Sequence, residues 1–460
     1  MRPLVLSVVL WCTAAPLGAQ APEAKPFTDT LSFDRAQYPS TYQRRRFAPV
    51  LIRNANVFTG VGAELRNASV LFQDGRIVAV GADLTAPAGA LVIDGTGKWV
   101  TPGLIDTHSH IGVYAAPGTS AESDGNEMTN PVTAEVWAEH SIWPQDPQIP
   151  LALAGGVTVA QILPGSANLI GGRSVTIRMV PARTVQELKF PGAPYGVKMA
   201  CGENPKRVYQ NRGPATRMGN MAGYRAAFIQ AEQYRIRWDK WLADRKGEPP
   251  ARDLRMETLA GVLRGEISVQ NHCYRADEMA QMLDLAREFN FRIRSFHHGI
   301  EAYKIADLLA AAGTAASIWS DWGGFKMEAF DNINENLALV TQAGARAILH
   351  TDSPDGIQRM NQDMAKAYYA GVRAGIKLSR EDAIRWVTAN PAWALGIDQW
   401  TGTLEPGKLA DVVIWSGDPF SVYSKAEKVF SDGWLAFDRA DPARFKTDFN
   451  LGQTAPGVGR

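Results

Sequence analysis

Cysteine is scarce in these 460 residues: there are three, and Cys12 lies in the apolar stretch at the N-terminus. The other two, Cys201 and Cys273, are too few for a structural zinc cluster or a disulfide-built scaffold. In a chain this long they are expected as two buried thiols. Net charge is almost absent, +1 from 48 basic and 47 acidic residues. Without a global field, neither nucleic acid nor an anionic surface is expected as a partner. Long apolar runs are missing after the N-terminus, so no stable membrane span is expected. Histidine is also rare, with seven in all, so their positions are informative.

Residues 1–19 have the make-up of a secretory signal: Arg2, an apolar run over 4–15, and Leu-Gly-Ala ahead of Gln20. The run is too short for a permanent span, and Trp11 stands where a lipid anchor at Cys12 needs a small residue. The mature protein is expected to be soluble and exported, periplasmic or secreted. Residues 20–48 are polar and read as an N-terminal arm. From Val50 onward, short β-rich runs at 50–58, 68–72, 76–80 and 90–94 are punctuated by Gly, Asn and Asp. They predict a small antiparallel sheet.

The pattern then switches. Apolar strand-like runs at 104–110, 156–163, 174–180, 196–201, 267–272, 291–298, 314–319 and 345–352 alternate with helical stretches, clearest at 276–289 and 301–312. Eight strands with intervening helices predict an α/β fold, a (β/α)8 TIM-like barrel over 102–395. The helix signal is weakest between the second and fourth strands. Two insertions, 112–150 and 202–254, leave C-terminal strand ends, the face where barrel active sites are built. They are expected to act as lids or pocket walls, with 218–241 helical. After 395 the short-strand pattern returns, at 412–415, 427–430 and 433–437. Too few strands lie at either end for separate sheets, so 49–101 and 396–440 are expected to form one composite β-sandwich. Residues 441–460 are left as a C-terminal tail.

On this frame five of the seven histidines fall at strand ends facing one mouth. His108 and His110, in the run Thr-Pro-Gly-Leu-Ile-Asp-Thr-His-Ser-His over 101–110, point to the same side because strand side chains alternate. His272 ends the fifth strand and the pair His297-His298 the sixth. Only one of that pair can enter the barrel, and alternation does not say which. Asp352 ends the eighth strand, with His350 on the same side two residues earlier. Converging imidazoles and a carboxylate are the donors of a divalent metal site. His140, within an insertion, reads as a surface residue.

The motif at 101–110, His-Gly-Ile-Glu-Ala from 298, His-Thr-Asp-Ser-Pro from 350 and Gly-Thr-Leu-Glu-Pro-Gly-Lys-Leu-Ala-Asp-Val-Val from 402 occur in an order that resembles the amidohydrolase superfamily. Its imidazolonepropionase-like and exported members are the nearest in pattern, and the similarity runs over about 50–437. The resemblance implies a metal-dependent hydrolase of carbon–nitrogen bonds other than peptide bonds, most simply with one or two Zn2+. It implies metal ligands at His108, His110, His272, His298 and Asp352, with His298 and Asp352 also catalytic. It further implies a carboxylated lysine bridging two metals, for which Lys198 is the candidate. Glu203 is a rival ligand, and a mononuclear site is the third possibility; there His298 would stabilise the oxyanion.

The substrate is less legible. Asn168, in a Gly-rich loop, could help to cradle an anion. Arg173, Arg207, Arg212 and Arg217 could meet a carboxylate, and Asp321 and Trp322 could line the pocket. An amide or cyclic amide is the leading small-molecule substrate. A dipeptidase or carboxypeptidase of the same fold, and a non-catalytic barrel scaffold, are the alternatives. A homo-oligomer is compatible with all three.

Overall fold

The computed structural model describes residues 38–441. The signal at 1–19, Cys12, most of the arm and the C-terminal tail lie outside the described residues.

Five strands come first: β1 (Val50–Val57), β2 (Leu65–Gln73), β3 (Arg76–Gly81), β4 (Leu91–Asp94) and β5 (Trp99–Pro102). Eight barrel strands follow: β6 (Leu104–Ser109), β7 (Val157–Ile162), β8 (Ile170–Arg178), β9 (Gly196–Ala200), β10 (Ser268–Cys273), β11 (Ile293–His298), β12 (Ala315–Ile318) and β13 (Ala347–Leu349). The chain closes with β14 (Val412–Trp415), β15 (Ala426–Ser431) and β16 (Trp434–Asp438).

The two chain ends build one eight-stranded sheet, in the order β16-β15-β14-β5-β1-β2-β3, with β4 also on β1. The seam is β5 against β14, antiparallel with Val100 opposite Ile414. Val50, Ile52, Val70, Phe72, Val100, Val412, Ile414 and Phe430 share one core cluster, so neither end can bury its apolar face without the other. A register shift between Ile52 and Ala55, with Asn54 at φ +58°, keeps Ala55 and Val57 in that core. Of the arm, the described part is tied to the barrel: Ser40 Oγ donates to the carbonyl of Lys189 (2.7 Å).

The barrel sheet runs β6 to β13 in sequence order. All eight expected strands are present, but one runs the other way: β8 is antiparallel to both β7 and β9. The reason is local. A parallel neighbour requires a crossover of a dozen or more residues, usually helical, and only 163–169 link β7 to β8. The weak helix signal there reflects a hairpin. The remaining pairings are parallel.

The second insertion carries the helix Arg217–Asp244. Its Tyr224, Ala227, Phe228, Ala231, Tyr234 and Trp238 recur at three- and four-residue spacing and are buried. Phe228 stacks on Phe291 at the start of the sixth-strand segment, with centroids 4.6 Å apart.

One expectation is corrected. Cys201 and Cys273 are not separate thiols but a disulfide, with Cα atoms 5.3 Å apart. In the β9–β10 register, Ala200 lies opposite His272, so the next residue on each strand is also a neighbour, at bridging separation. Sequence spacing of 72 residues carries no trace of this.

Candidate active site

The barrel mouth gathers the residues that the sequence singles out. His108 lies one residue before the end of β6, and its amide is held by the carboxyl of the buried Asp106 (2.9 Å). That carboxyl also accepts from the Thr351 hydroxyl (2.5 Å). Burial raises the Asp106 pKa to about 7 against the pull of these hydrogen bonds. Asp106 thus ties the end of the first barrel strand to the segment after the last.

His108 Nε2 lies 3.3 Å from His110 Nε2, 3.2 Å from Lys198 Nζ and 3.5 Å from Asp352 Oδ1. His110 Nε2 is 3.2 Å from the same carboxylate oxygen. Within His108, His110 and Asp352, one donor atom from each lies within 4.8 Å of the others. His110 Nδ1 meets the carbonyl of Leu163 at 2.9 Å. A carbonyl only accepts, so this ring carries its proton on Nδ1 and turns an Nε2 lone pair toward His108.

Both residues of the His297-His298 pair enter the mouth, contrary to the alternation argument. His298 adopts φ +74°, which breaks the extended geometry on which alternation depends. Its ring packs 4.7 Å from His108, 4.5 Å from His272 and 4.3 Å from Trp319. The His298 amide donates to His350 Nε2 (3.2 Å), so neutral His350 is protonated at Nδ1 and holds the strained backbone of its neighbour. His298 Nδ1 is buried with no hydrogen-bond partner, 3.9 Å from Asp352 Oδ2. An unpaired buried polar atom is costly, and a cation beside that carboxylate would satisfy it if the ring carries its proton on Nε2. The donor set of imidazoles plus carboxylate therefore fits a divalent metal.

His272 stands outside that three-residue group but against His298. Its Nδ1 faces Ser166 Oγ (2.9 Å) and its Nε2 faces Asn204 Nδ2 (3.4 Å). Lys198, fully buried on β9, donates to the Pro164 carbonyl (3.1 Å). Burial brings its pKa down to about 7. Burial, reinforced by Lys198 and the other rings, pushes His108, His272, His297 and His298 well below the ordinary histidine value. The neutral imidazole is the form that can bind a cation. On Asp352, burial acts to raise the pKa but is outweighed by the neighbouring His110, His350 and Lys198, so its carboxyl stays below the usual range.

The other candidates have different employment. Glu203 pairs with Lys326 (3.3 Å), at the rim. Asn168 donates to the carbonyls of Glu127 (2.7 Å) and Asn130 (2.9 Å), pinning the first insertion. Arg173 lies buried over Trp137, 4.3 Å from the ring centroid. Arg212 donates to the carbonyls of Met128 and Thr129, and Arg217 is paired with Glu278 and Glu328. Arg207 is near enough for its charge to act on Tyr274 and Lys326. Asp321 pairs with Lys366 (3.0 Å), while Trp322 packs 5.5 Å from Trp319. His140 is exposed and stacks on Trp137.

Sequence reasoning missed the mouth's apolar wall, Tyr274, Trp319 and Phe325, and the cation beside it. Lys326 Nζ sits 4.2 Å over the Tyr274 ring and donates to Asn204 Oδ1 (2.9 Å). The one usable signal was the density of Trp and Phe at 319–330 after the seventh strand.

A profile of the Amidohydrolase family matches residues 304–435. Among solved structures, an amidohydrolase from Thermotoga maritima MSB8 is 38% identical with a TM-score of 0.78, covering 85% of this chain and 100% of that one. The amidohydrolase tasK of Hapsidospora irregularis is 34% identical over 431 residues, 85% of this chain; this chain spans only 43% of that relative's length. The imidazolonepropionase of Rhizobium rhizogenes is 24% identical over 426 residues, covering 79% of this chain and 90% of that protein.

Proposed function

This chain belongs to the amidohydrolase family and is a hydrolase, and on that premise we propose that it opens an amide or cyclic amide of a small molecule by metal-assisted attack of water. The observation that carries the reading is the convergence of His108 Nε2, His110 Nε2 and Asp352 Oδ1, with the unpartnered Nδ1 of His298 beside them. His108, His110 and Asp352 would hold one ion, with His298 and His272 available to a second; zinc suits imidazole and carboxylate donors. Bound there, the ion supplies Lewis acidity toward a carbonyl and makes a water acidic near neutral pH.

The chain's own groups do the rest. Asp352, ionised near neutral pH, accepts the proton of the attacking water at a carboxylate oxygen and returns it to the leaving nitrogen. His110, its ring fixed by the Leu163 carbonyl, presents its Nε2 lone pair beside that carboxylate, 3.2 Å away. Tyr274, Trp319 and Phe325 exclude water from one wall of the mouth. Lys198 is the proposed bridge between two ions. An amine whose pKa is about 7 is substantially neutral near pH 7, so its nitrogen can attack carbon dioxide, lose a proton and become a carbamate. The unmodified ammonium would repel a cation.

A substrate with a free carboxylate, as in a dipeptidase, is favoured by one observation, the Lys326 ammonium at the rim. Export is likewise proposed: the leader at 1–19 and the Cys201–Cys273 bridge both suit an oxidising compartment. The test is a hydrolysis screen with added zinc or manganese, setting cyclic amides against N-acyl amino acids and dipeptides. Turnover of cyclic amides is expected. Turnover of dipeptides alone would replace the leading reading with the second.

A further inference from the structure

We propose that Gln270 and His297, neither of them a metal ligand, set the tautomer of His108 through a hydrogen-bonded relay. The starting point is the carbonyl of Ala394, which can only accept. Gln270 Nε2 lies 3.3 Å from it and 3.3 Å from Ser268 Oγ, so the amide cannot be turned round and its Oε1 is the atom facing His297. That Oε1 is 2.8 Å from His297 Nε2. An amide oxygen only accepts, so the proton of neutral His297 is on Nε2 and its Nδ1 is a lone pair. His297 Nδ1 is 2.9 Å from His108 Nδ1, and two lone pairs cannot face each other at that distance. His108 therefore carries its proton on Nδ1. Its Nε2 is left as a lone pair, 3.2 Å from Lys198 Nζ, which can donate to it in the metal-free protein.

All three residues are fully buried, so water cannot substitute for a missing partner. Register explains how the relay is assembled. Gln270 and His272 share the inner face of β10, and His297 is opposite His272 on β11. The left-handed turn at His298 frees both members of the histidine pair to face inward. Gln270 and His297 are thus positioning residues, acting on a ligand without touching the ion.

This inference rests on His108 Nε2 being a metal donor, and its test separates the two. Metal-free protein labelled with 15N in its seven histidines is studied by long-range 1H–15N correlation, and zinc affinity is measured against a competing chelator. Three chains are compared: wild type, Gln270→Met, which keeps the volume and removes the acceptor, and Gln270→Glu, which keeps an acceptor. In wild type and Gln270→Glu, His108 is expected as the Nδ1–H tautomer. In Gln270→Met that signal gives way to a mixture, and zinc binding weakens about 10–100-fold. Unchanged tautomer and affinity in Gln270→Met overturn the relay. Equal losses of affinity in both variants also overturn it, in favour of a packing role. Wild-type protein that shows the Nδ1–H tautomer but binds no zinc leaves the relay standing and removes the metal reading instead.

Discussion

The amide of Asp352 donates to the carbonyl of His108, N···O 3.1 Å, across the gap between the last barrel strand and the first. Two donors of the candidate metal site, 244 positions apart in the chain, are thereby neighbours on the backbone as well as by side chain. Asp352 adopts φ +53° to make this contact, a conformation that aspartate tolerates better than most residues. The same contact spans the gap in the barrel and joins two of the site's donors.

Asp352 has two assigned tasks, holding the ion and moving the proton, and an amide can retain part of the first only. Asp352→Asn is expected to keep zinc while turnover falls on the order of 10²–10⁴-fold, the usual weight of a positioned acid–base group. Metal analysis and kcat on the same preparation check it. Full activity at normal metal content contradicts the assignment.

Lys198 makes the metal-free protein sensitive to alkaline pH in a defined direction. Its folded pKa of about 7 lies below the unfolded value of 10.5, so between these limits the unfolded chain binds the extra proton and stability rises with pH. The destabilisation is complete below pH 7 and gone above 10.5. In metal-free protein, Lys198→Met is expected to have a higher Tm than wild type at pH 7, with the gap closing by pH 10. A gap independent of pH would place the effect in packing.

The run from 402 to 413 contains an aspartate, Asp411, whose role is structural. Asp411 accepts from Arg178 Nη1 (3.1 Å), Thr401 Oγ1 (2.6 Å) and the amide of Asp432 (2.8 Å). It joins the barrel's third strand to the composite sheet. Arg178 and Asp411 are both buried, so Asp411→Ala strands a guanidinium and is expected to cost about 3–5 kcal/mol. Denaturant unfolding measures it. A loss under about 1 kcal/mol would mean that water reaches the pair.

The Cys201–Cys273 bridge closes a 72-residue separation beside His272. Replacing both with serine is expected to lower stability by about 2–4 kcal/mol, read as a fall in Tm that reducing agent reproduces in wild type and not in the variant. No effect of reductant on wild type would contradict a bridge that contributes to stability.

Much of this was legible in the sequence because the signals were local. Each barrel strand is an apolar run, and the ligand candidates sit where those runs end. The composite sheet followed from too few strands at either end. What stayed hidden depended on geometry between distant segments. The reversal of β8 followed from the seven-residue link ahead of it, which the sequence showed only as missing helix. The entry of both His297 and His298 depends on one left-handed residue, held by His350 from two strands away. The disulfide depends on the β9–β10 register. Gln270, two residues before a histidine, is an ordinary inward-facing polar side chain until the Ala394 carbonyl fixes its orientation.

The central claim, hydrolysis assisted by an ion held at His108, His110 and Asp352, is tested most directly by elemental analysis of purified wild-type protein and of His108→Ala, paired with activity after adding zinc or manganese. The account predicts one or two transition-metal ions per wild-type chain and loss of at least one in the variant, together with activity. Wild-type protein that carries no such metal and gains no activity when it is supplied would contradict it.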